Sequence, residues 1–336
     1  MPYDFNFALS KIIHTRKVVE PMWRYILKRI LSAIPVLIGI TIIDYLIMSL
    51  AGSPLAMMQG PRVSAGAVEV KAELLGLNQP IYIQYFNWLK EVLSGNLGYS
   101  IKSYQPVATI ISSHIGSTLL LMSTSLIVGL LIAIPAGIYS AVHRYTKRDY
   151  SLVTLSFLGT SIPSFFLALI LIYLFTVKLG WLPSSGMITQ GTGGGVLDIS
   201  KHMIMPVIVL SFPIAGNNIR YVRSAMLEVL QQDYLRTAKA KGIGRFLVIN
   251  KHALRNAMIP VVTVIGMQIP MLFGGAVIVE QMFRWPGLGL ITMNAIMGRD
   301  YPVIMGVCLL TAVVVLIANL LTDIIYAVID PKIQYK

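Results

Sequence analysis

Charge is what this sequence has least of. Only 12% of its 336 residues are Asp, Glu, Lys or Arg, against roughly 25% in a soluble domain. The chain therefore lacks the polar cover that a water-facing surface needs. Cysteine is scarcer still, and the single Cys308 excludes a disulfide scaffold. Acidic residues number 14 against 27 basic ones, and no solvating low-complexity tract is present, which excludes a disordered or collagen-like chain. In their place stand 56% hydrophobic residues and a mean hydropathy of +0.73. That balance describes a polytopic membrane protein.

A spanning helix needs roughly 20 mostly apolar residues. Six segments meet that requirement, approximately Tyr25–Leu50, Ser117–Val142, Ser151–Val177, Met203–Tyr221, Ala257–Glu280 and Val303–Ile329. The first is longer than a signal-peptide core and no small-residue cleavage site follows it, so it is expected to be retained. Residues 1–30, 143–150, 220–256 and 330–336 hold 19 of the 27 basic residues, and the alternate loops hold 8. Basic residues collect on the cytoplasmic side, which places both termini there. The formal charge of +13 is then a matter of topology, and a nucleic-acid partner is not expected.

Catalytic constellations are missing as well. His14, His114, His143, His202 and His252 are scattered, with no HExxH pair, and no GxxxxGK[ST] phosphate loop occurs. Cys308 sits inside the last span, where a free cysteine usually packs. Asp44 and Asp323, on the first and last spans, would lie at different depths, which argues against a paired-carboxylate protease. Intramembrane acids nonetheless line polar cavities or pair with a neighbouring helix. Gly191-Thr192-Gly193-Gly194-Gly195 is followed by no Lys-Ser/Thr and by no expected helix start, so it reads as a flexible connector.

The stretch Met226–Asn256 is different. Asp233 is expected as an N-cap, Tyr234 to Lys241 as two helical turns, and Gly242 as the left-handed stop. Arg236 and Lys239 share one face of that helix, and Leu235 and Ala238 another. A second amphipathic piece, Arg245 to Arg255, places Phe246, Ile249 and Ala253 along one side. The basic face suits an electrostatic anchor on anionic lipid or a dock for a soluble partner, and composition does not separate the two. Pro35, Pro135, Pro163, Pro206, Pro213, Pro260 and Pro270 interrupt the spans. Gln268 and Asn319 are polar pathway candidates within them. Breaks of this kind are tolerated where protein or a polar cavity satisfies the backbone, and they favour transport.

The run Asp233-Tyr234-Leu235-Arg236-Thr237-Ala238-Lys239-Ala240-Lys241-Gly242, followed by His252-Ala253-Leu254-Arg255-Asn256-Ala257-Met258-Ile259-Pro260, resembles the signature of ABC importer permeases. It is most similar to the first permease subunit of the dipeptide, oligopeptide and nickel branch. Trp23-Arg24-Tyr25-Ile26-Leu27-Lys28-Arg29-Ile30, Leu75-Gly76-Leu77-Asn78-Gln79-Pro80, Gly95-Asn96-Leu97-Gly98, Phe283-Arg284-Trp285-Pro286-Gly287-Leu288-Gly289, Arg299-Asp300-Tyr301-Pro302 and Asp330-Pro331-Lys332 match the branch in order. The chain departs from it at Ala51-Gly52-Ser53-Pro54, where Pro-Gly-Asp-Pro is common. It also has Arg236-Thr237-Ala238 where the wider superfamily has Glu-Ala-Ala. Residues 1–21 match nothing in the family.

The resemblance implies an all-α bundle of six transmembrane helices with a cytoplasmic coupling helix. Its parts would be a cytoplasmic extension at 1–21, a first helix at 22–50, an external region at 51–116, a core at 117–329 containing the coupling loop 226–256, and a cytoplasmic tail at 330–336. It also implies a non-catalytic subunit that carries no cofactor, with ATP and Mg on two partner ATP-binding subunits. A second permease subunit and an external substrate-binding protein complete the set. Asp233, Tyr234, Arg236, Thr237, Ala238, Lys239 and Gly242 would meet the ATPase, with lipid as a competing partner for the charged ones. Gln79, Tyr85, Trp285, Arg299 and Asp300 would face the binding protein. Short peptides are the expected cargo, with oligosaccharides or nickel complexes as alternatives. A stand-alone secondary transporter is the reading from another class, and it lacks a clear charged relay or inverted repeat.

Overall fold

The computed structural model describes residues 22–52, 55, 65–74, 76–191, 193–274 and 276–329. The expected extension 1–21, the tail 330–336, Ser53-Pro54 and the side chain of Asp323 lie outside the described residues. Helices account for the described architecture, and the single bridge between Tyr99 and Pro106 is isolated.

The apolar runs become helices even though Pro35, Pro135, Pro206, Pro213 and Pro260, expected as interruptions, lie inside them, which neighbouring helices and polar side chains make tolerable in a membrane bundle. In order, α1 is Met22–Leu50, α2 Ala65–Leu74, α3 Ile81–Leu93, α4 Val107–Val142 and α5 Lys147–Ser161. Helix α6, Ser164–Leu171, continues as a π-helical stretch, Ile172–Lys178. Next come α7 Val196–Leu230, α8 Asp233–Ala240 and the short α9 Arg245–Leu247. The π-helical Val248–Ala253 leads into α10 Leu254–Gly266. Helices α11 Met271–Gly274, α12 Val277–Met282, α13 Leu288–Met297 and α14 Tyr301–Ile329 complete the chain.

Among the described residues, five runs are long and apolar enough to cross a membrane: Ile26–Leu50, Val107–Val142, Val196–Leu230, Arg245–Gly274 and Tyr301–Thr322. A sixth is reached if α5 and α6, bent by 99°, count as one span. The bend falls where Ile162 adopts an extended conformation before Pro163, the conformation a proline ring favours in the residue before it. Several expected boundaries need correction: the fourth span runs Val196–Leu230 where Met203–Tyr221 was expected, and the fifth begins at Arg245 where Ala257 was expected. Helix α4 starts ten residues before the expected Ser117 because its polar first turns satisfy themselves: Ser112 and Ser113 donate to the carbonyls of Thr109 and Ile110. The fifth span ends at Gly274, and Glu280 belongs to the separate α12.

Helices α4 and α7 form the centre. They approach closely at Gly137, where a Cβ would lie 2.6 Å from Val222 Cβ, the small-residue contact that packs membrane helices without a hydrophobic driving force. Helix α5 packs antiparallel on α7, and a Cβ at Gly216 would meet the Ser156 carbonyl at 2.5 Å. Helix α1 is peripheral, leaning on α14 and α3 and leaving Leu31, Ile43 and Ile47 exposed.

Candidate functional site

The expected coupling element is a real surface helix. Its lower face, Leu235 and Ala238, is buried together with Ala141 of α4, Val222 and Met226 of α7, Val248 and Ala253 of the π segment, and Ala257 of α10. Its outer face, Asp233, Arg236, Thr237 and Lys239, is exposed. Helix α8 closes with a Schellman arrangement. The Gly242 N–H donates to Lys239 O at 3.0 Å and the Ile243 N–H to Ala238 O at 3.2 Å. Gly242 has φ +79°, a region that L side chains disfavour. Ile243 then packs back on the same core. Tyr234 tethers α8 to α10, its hydroxyl accepting from Asn256 Nδ2 at 2.7 Å.

Three expectations fail here. Gln232, in extended conformation, holds the N-cap position, and Asp233 is the first helical residue. Its carboxylate stays favourable there through the helix dipole, and it sits 3.4 Å from Arg236 Nη1 in a solvent-exposed pair. Ala238 faces inward and is 9% exposed, so its small size serves the seat of α8 on its own chain. Phe246 points outward and is 76% exposed. The π-helical turn lengthens the local repeat towards five residues, so Val248 and Ala253 line the buried side in its place.

Beneath α8 lies an ion pair that the sequence did not announce. Asp149, 1% exposed, accepts two parallel bonds from Arg223, Nε to Oδ1 and Nη2 to Oδ2, each 2.8 Å. Ser140 Oγ and the Tyr145 N–H also donate to this carboxylate. The fork geometry fixes orientation as well as distance. One carboxylate therefore ties α4, α5 and α7 together beside the core that seats α8.

At the other end of the bundle, motif residues are buried where exposure was expected. Trp285 is fully buried, donating from Nε1 to Ser117 O at 2.9 Å. Asp300 is 4% exposed and accepts from Ser100 Oγ and from the Ile101 N–H. Tyr85 turns towards α1, hydrogen bonding to Thr41 at 3.0 Å and packing against Tyr45 and Trp88. Gln79 and Arg299 are exposed. The unanticipated centre here is Glu280, 0% exposed. It accepts from Thr118 Oγ1 at 3.0 Å and from the Leu290 N–H at 3.1 Å. The Thr118 hydroxyl oxygen in turn accepts from the Leu288 N–H.

Of the pathway candidates, Gln268 exchanges two amide hydrogen bonds, 3.1 and 3.3 Å, with the fully buried Asn218 of α7. Asn319 is exposed on α14. These two are not brought together. Helix α7 does start directly after Gly195, correcting the expectation that no helix follows the glycine run. The missing Lys-Ser/Thr still argues against a phosphate cradle. No group of three or more potential metal ligands occurs among the described residues.

Residues 133–335 match the family model described as "Binding-protein-dependent transport system inner membrane component", and residues 22–122 match that of its N-terminal region. The chain is 45% identical over 316 residues to the oligopeptide transport system permease protein AppB of Bacillus subtilis, covering 94% of this chain and all of the relative. It is 39% identical, with the same coverage, to the glutathione transport system permease protein GsiC of Escherichia coli K12. Among solved structures, the inward-facing MetNI methionine ABC transporter aligns with a TM-score of 0.55 at 20% identity. The alignment covers 66% of this chain and 97% of that one.

Proposed function

The chain belongs to the family of binding-protein-dependent transport system inner membrane components, and from that membership we propose how its parts work and what it carries. It is the non-catalytic transmembrane half of an ABC importer, a multi-pass membrane protein. In our reading it has six spans with both termini in the cytoplasm, and pairs with a second, homologous permease subunit to enclose the pathway. Two ATP-binding subunits drive it, and an external binding protein supplies the cargo. Short peptides fit the names of the relatives, which include oligopeptide and glutathione systems.

The observation that carries the reading is the build of α8, with an apolar face sunk into the bundle core and a charged face left open. In this reading Asp233, Tyr234, Arg236, Thr237 and Lys239 contact one ATPase. Ala238 and Gly242 hold the helix in place from beneath and behind. Rigid-body movement of α8 is then passed to α7 and α10 through the shared core. Exposed Gln79 and Arg299 are the residues we assign to the binding protein. Trp285, Asp300 and Tyr85 shape that surface from within.

The test is ATP-driven uptake of di- to pentapeptides by the full complex in proteoliposomes, with wild-type chain or with Arg236→Glu/Lys239→Glu. Coupled uptake is expected for wild type. The double variant should hydrolyse ATP without importing peptide. Normal uptake by the variant would sink the docking role, and uptake by this chain alone without ATP would sink the importer reading.

A further inference from the structure

Helix α7 carries a second charge whose surroundings differ from those of Arg223. Arg220 lies one turn earlier, on the outer surface of the bundle. Its guanidinium donates from Nη2 to Asn217 Oδ1 at 2.7 Å and from Nη1 to Thr160 Oγ1 at 3.5 Å. It also stacks 4.8 Å from the Phe157 ring centroid. It forms no ion pair with any described carboxylate, since Asp149 is taken by Arg223.

The direction of the side chain matters. Helices α5 and α7 run antiparallel, with Asp149 opposite Arg223 and Ser156 opposite Gly216. Side chains on a helix lean towards its N-terminus, and Arg220 follows that lean to reach Thr160. Thr160 stands thirteen residues, or about 20 Å, along α5 from Lys147. A snorkelling arginine would extend towards the nearer, α8 end of the bundle. This one extends away from it, about 20 Å along α5, a depth that would fall within a hydrocarbon core about 30 Å thick.

The face around it is polar too. Asn217, Arg220, Tyr221 and Ser224 follow one another at i, i+3, i+4 and i+7 along α7, the spacing of a single helical stripe. Asn217, Tyr221 and Ser224 are exposed. Helix α1, by contrast, shows the bundle exterior Leu27, Leu31, Ile34 and Ile38, which is what lipid accepts. A polar stripe with an arginine at this depth belongs against a hydrated, protein-walled space.

We propose that Arg220, steadied by Asn217 and Thr160, is a carboxylate-recognition point on the pathway face, engaging the C-terminal carboxylate of a short peptide in transit. Only part of the guanidinium's five donors is used within the chain, and a carboxylate accepts the remainder in the planar, two-bond geometry arginine favours. The exposed Phe157 ring beside it offers the adjoining side chain an apolar wall. The inference rests on the importer reading above and adds the chemistry of what is recognised.

The test uses the complete reconstituted complex and a peptide that its binding protein holds equally well as free acid and as C-terminal amide. Wild type should import the acid at a maximal rate about tenfold above the amide, the scale of one charge-assisted contact. Arg220→Gln should bring the acid down to the amide rate and leave the amide rate and cargo-stimulated ATP hydrolysis unchanged. Arg220→Lys should retain part of the preference. Asn217→Ala, which keeps the charge, should lower the ratio about threefold and serves if Arg220→Gln does not assemble. Equal wild-type rates overturn the proposal. So does an Arg220→Gln complex that keeps the wild-type ratio, or one that loses both rates equally, which would mark a partner-subunit acid as the true counterion.

A second measurement needs no cargo. Arg220→Cys in a Cys308→Ala chain should react with a membrane-impermeant thiosulfonate in the assembled complex. A thiol that stays unreactive faces lipid or packed protein and overturns the site. Failure of wild type to import either peptide form would instead count against the importer reading, with the labelling still judging this position.

Discussion

The two ends of the bundle solve opposite problems with the same polar groups. At the α8 end the charged motif residues are exposed and the support beneath them is apolar, apart from one fork of Asp149 and Arg223. At the far end the motif residues themselves go inside. Glu280, Asp300 and Trp285 are buried, and each has a partner 160 to 200 residues away in sequence. One surface presents its charged side chains outward, where substitution should leave the fold intact. The other is a set of loops held in shape by its own buried polar side chains, and altering them should cost stability first.

Several substitutions would break or sharpen that contrast. The largest effect is expected from Asp149→Ala, which leaves Arg223 half-buried and unpaired at about 3–5 kcal/mol. Thermal unfolding of the purified protein in lipid nanodiscs would show it, and Asp149→Asn/Arg223→Gln should recover much of the loss. Glu280→Leu comes next, stranding the Leu290 N–H and the Thr118 hydroxyl for about 2–4 kcal/mol by the same measurement. Retention of full stability there would mean that the buried cluster holds nothing.

Gly242→Ala is intermediate, at about 1–2 kcal/mol for a left-handed residue given a Cβ. A Cβ at Gly242 meets nothing within 4 Å, so a loss beyond that range would point to something other than backbone strain. Arg236→Ala and Lys239→Ala should change stability least, within about 0.5 kcal/mol, as exposed substitutions do. Their effect should appear in cargo-stimulated ATP hydrolysis. An unfolding midpoint that drops as far as for Glu280→Leu would erase the distinction between the two ends.

Sequence pattern located five spans by the length of their apolar runs, each long enough to need no partner's help, whereas the run expected at Ser151–Val177 is two helices bent by 99°. It found Gly242 and the break at Pro163 because glycine and proline act on the backbone locally. It misplaced Phe246 because a π-helical turn shifts the stripe by a residue, and no side chain in Val248–Ala253 marks that turn. It assigned Trp285 and Asp300 to the surface because a loop position and a polar atom suggest water, whereas each had a distant partner, Ser117 and Ser100. The fork of Arg223 on Asp149, 74 residues apart, has no local signature at all. Arg220 was visible only as a charge near the end of a span. Its direction follows from the antiparallel fit of α5 on α7.

That fit has a mechanical side. The fork pins α5 to α7 at one end, and the glycine seat at Gly216 leaves no room for slip part-way along. Helix α5 and the part of α7 it covers form one packed unit of about 22 Å, bounded on α5 by the break at Ile162–Pro163 and on α7 by the turn at Gln231–Gln232. If α8 is the coupling helix proposed above, this unit would carry its displacement to the level of Thr160.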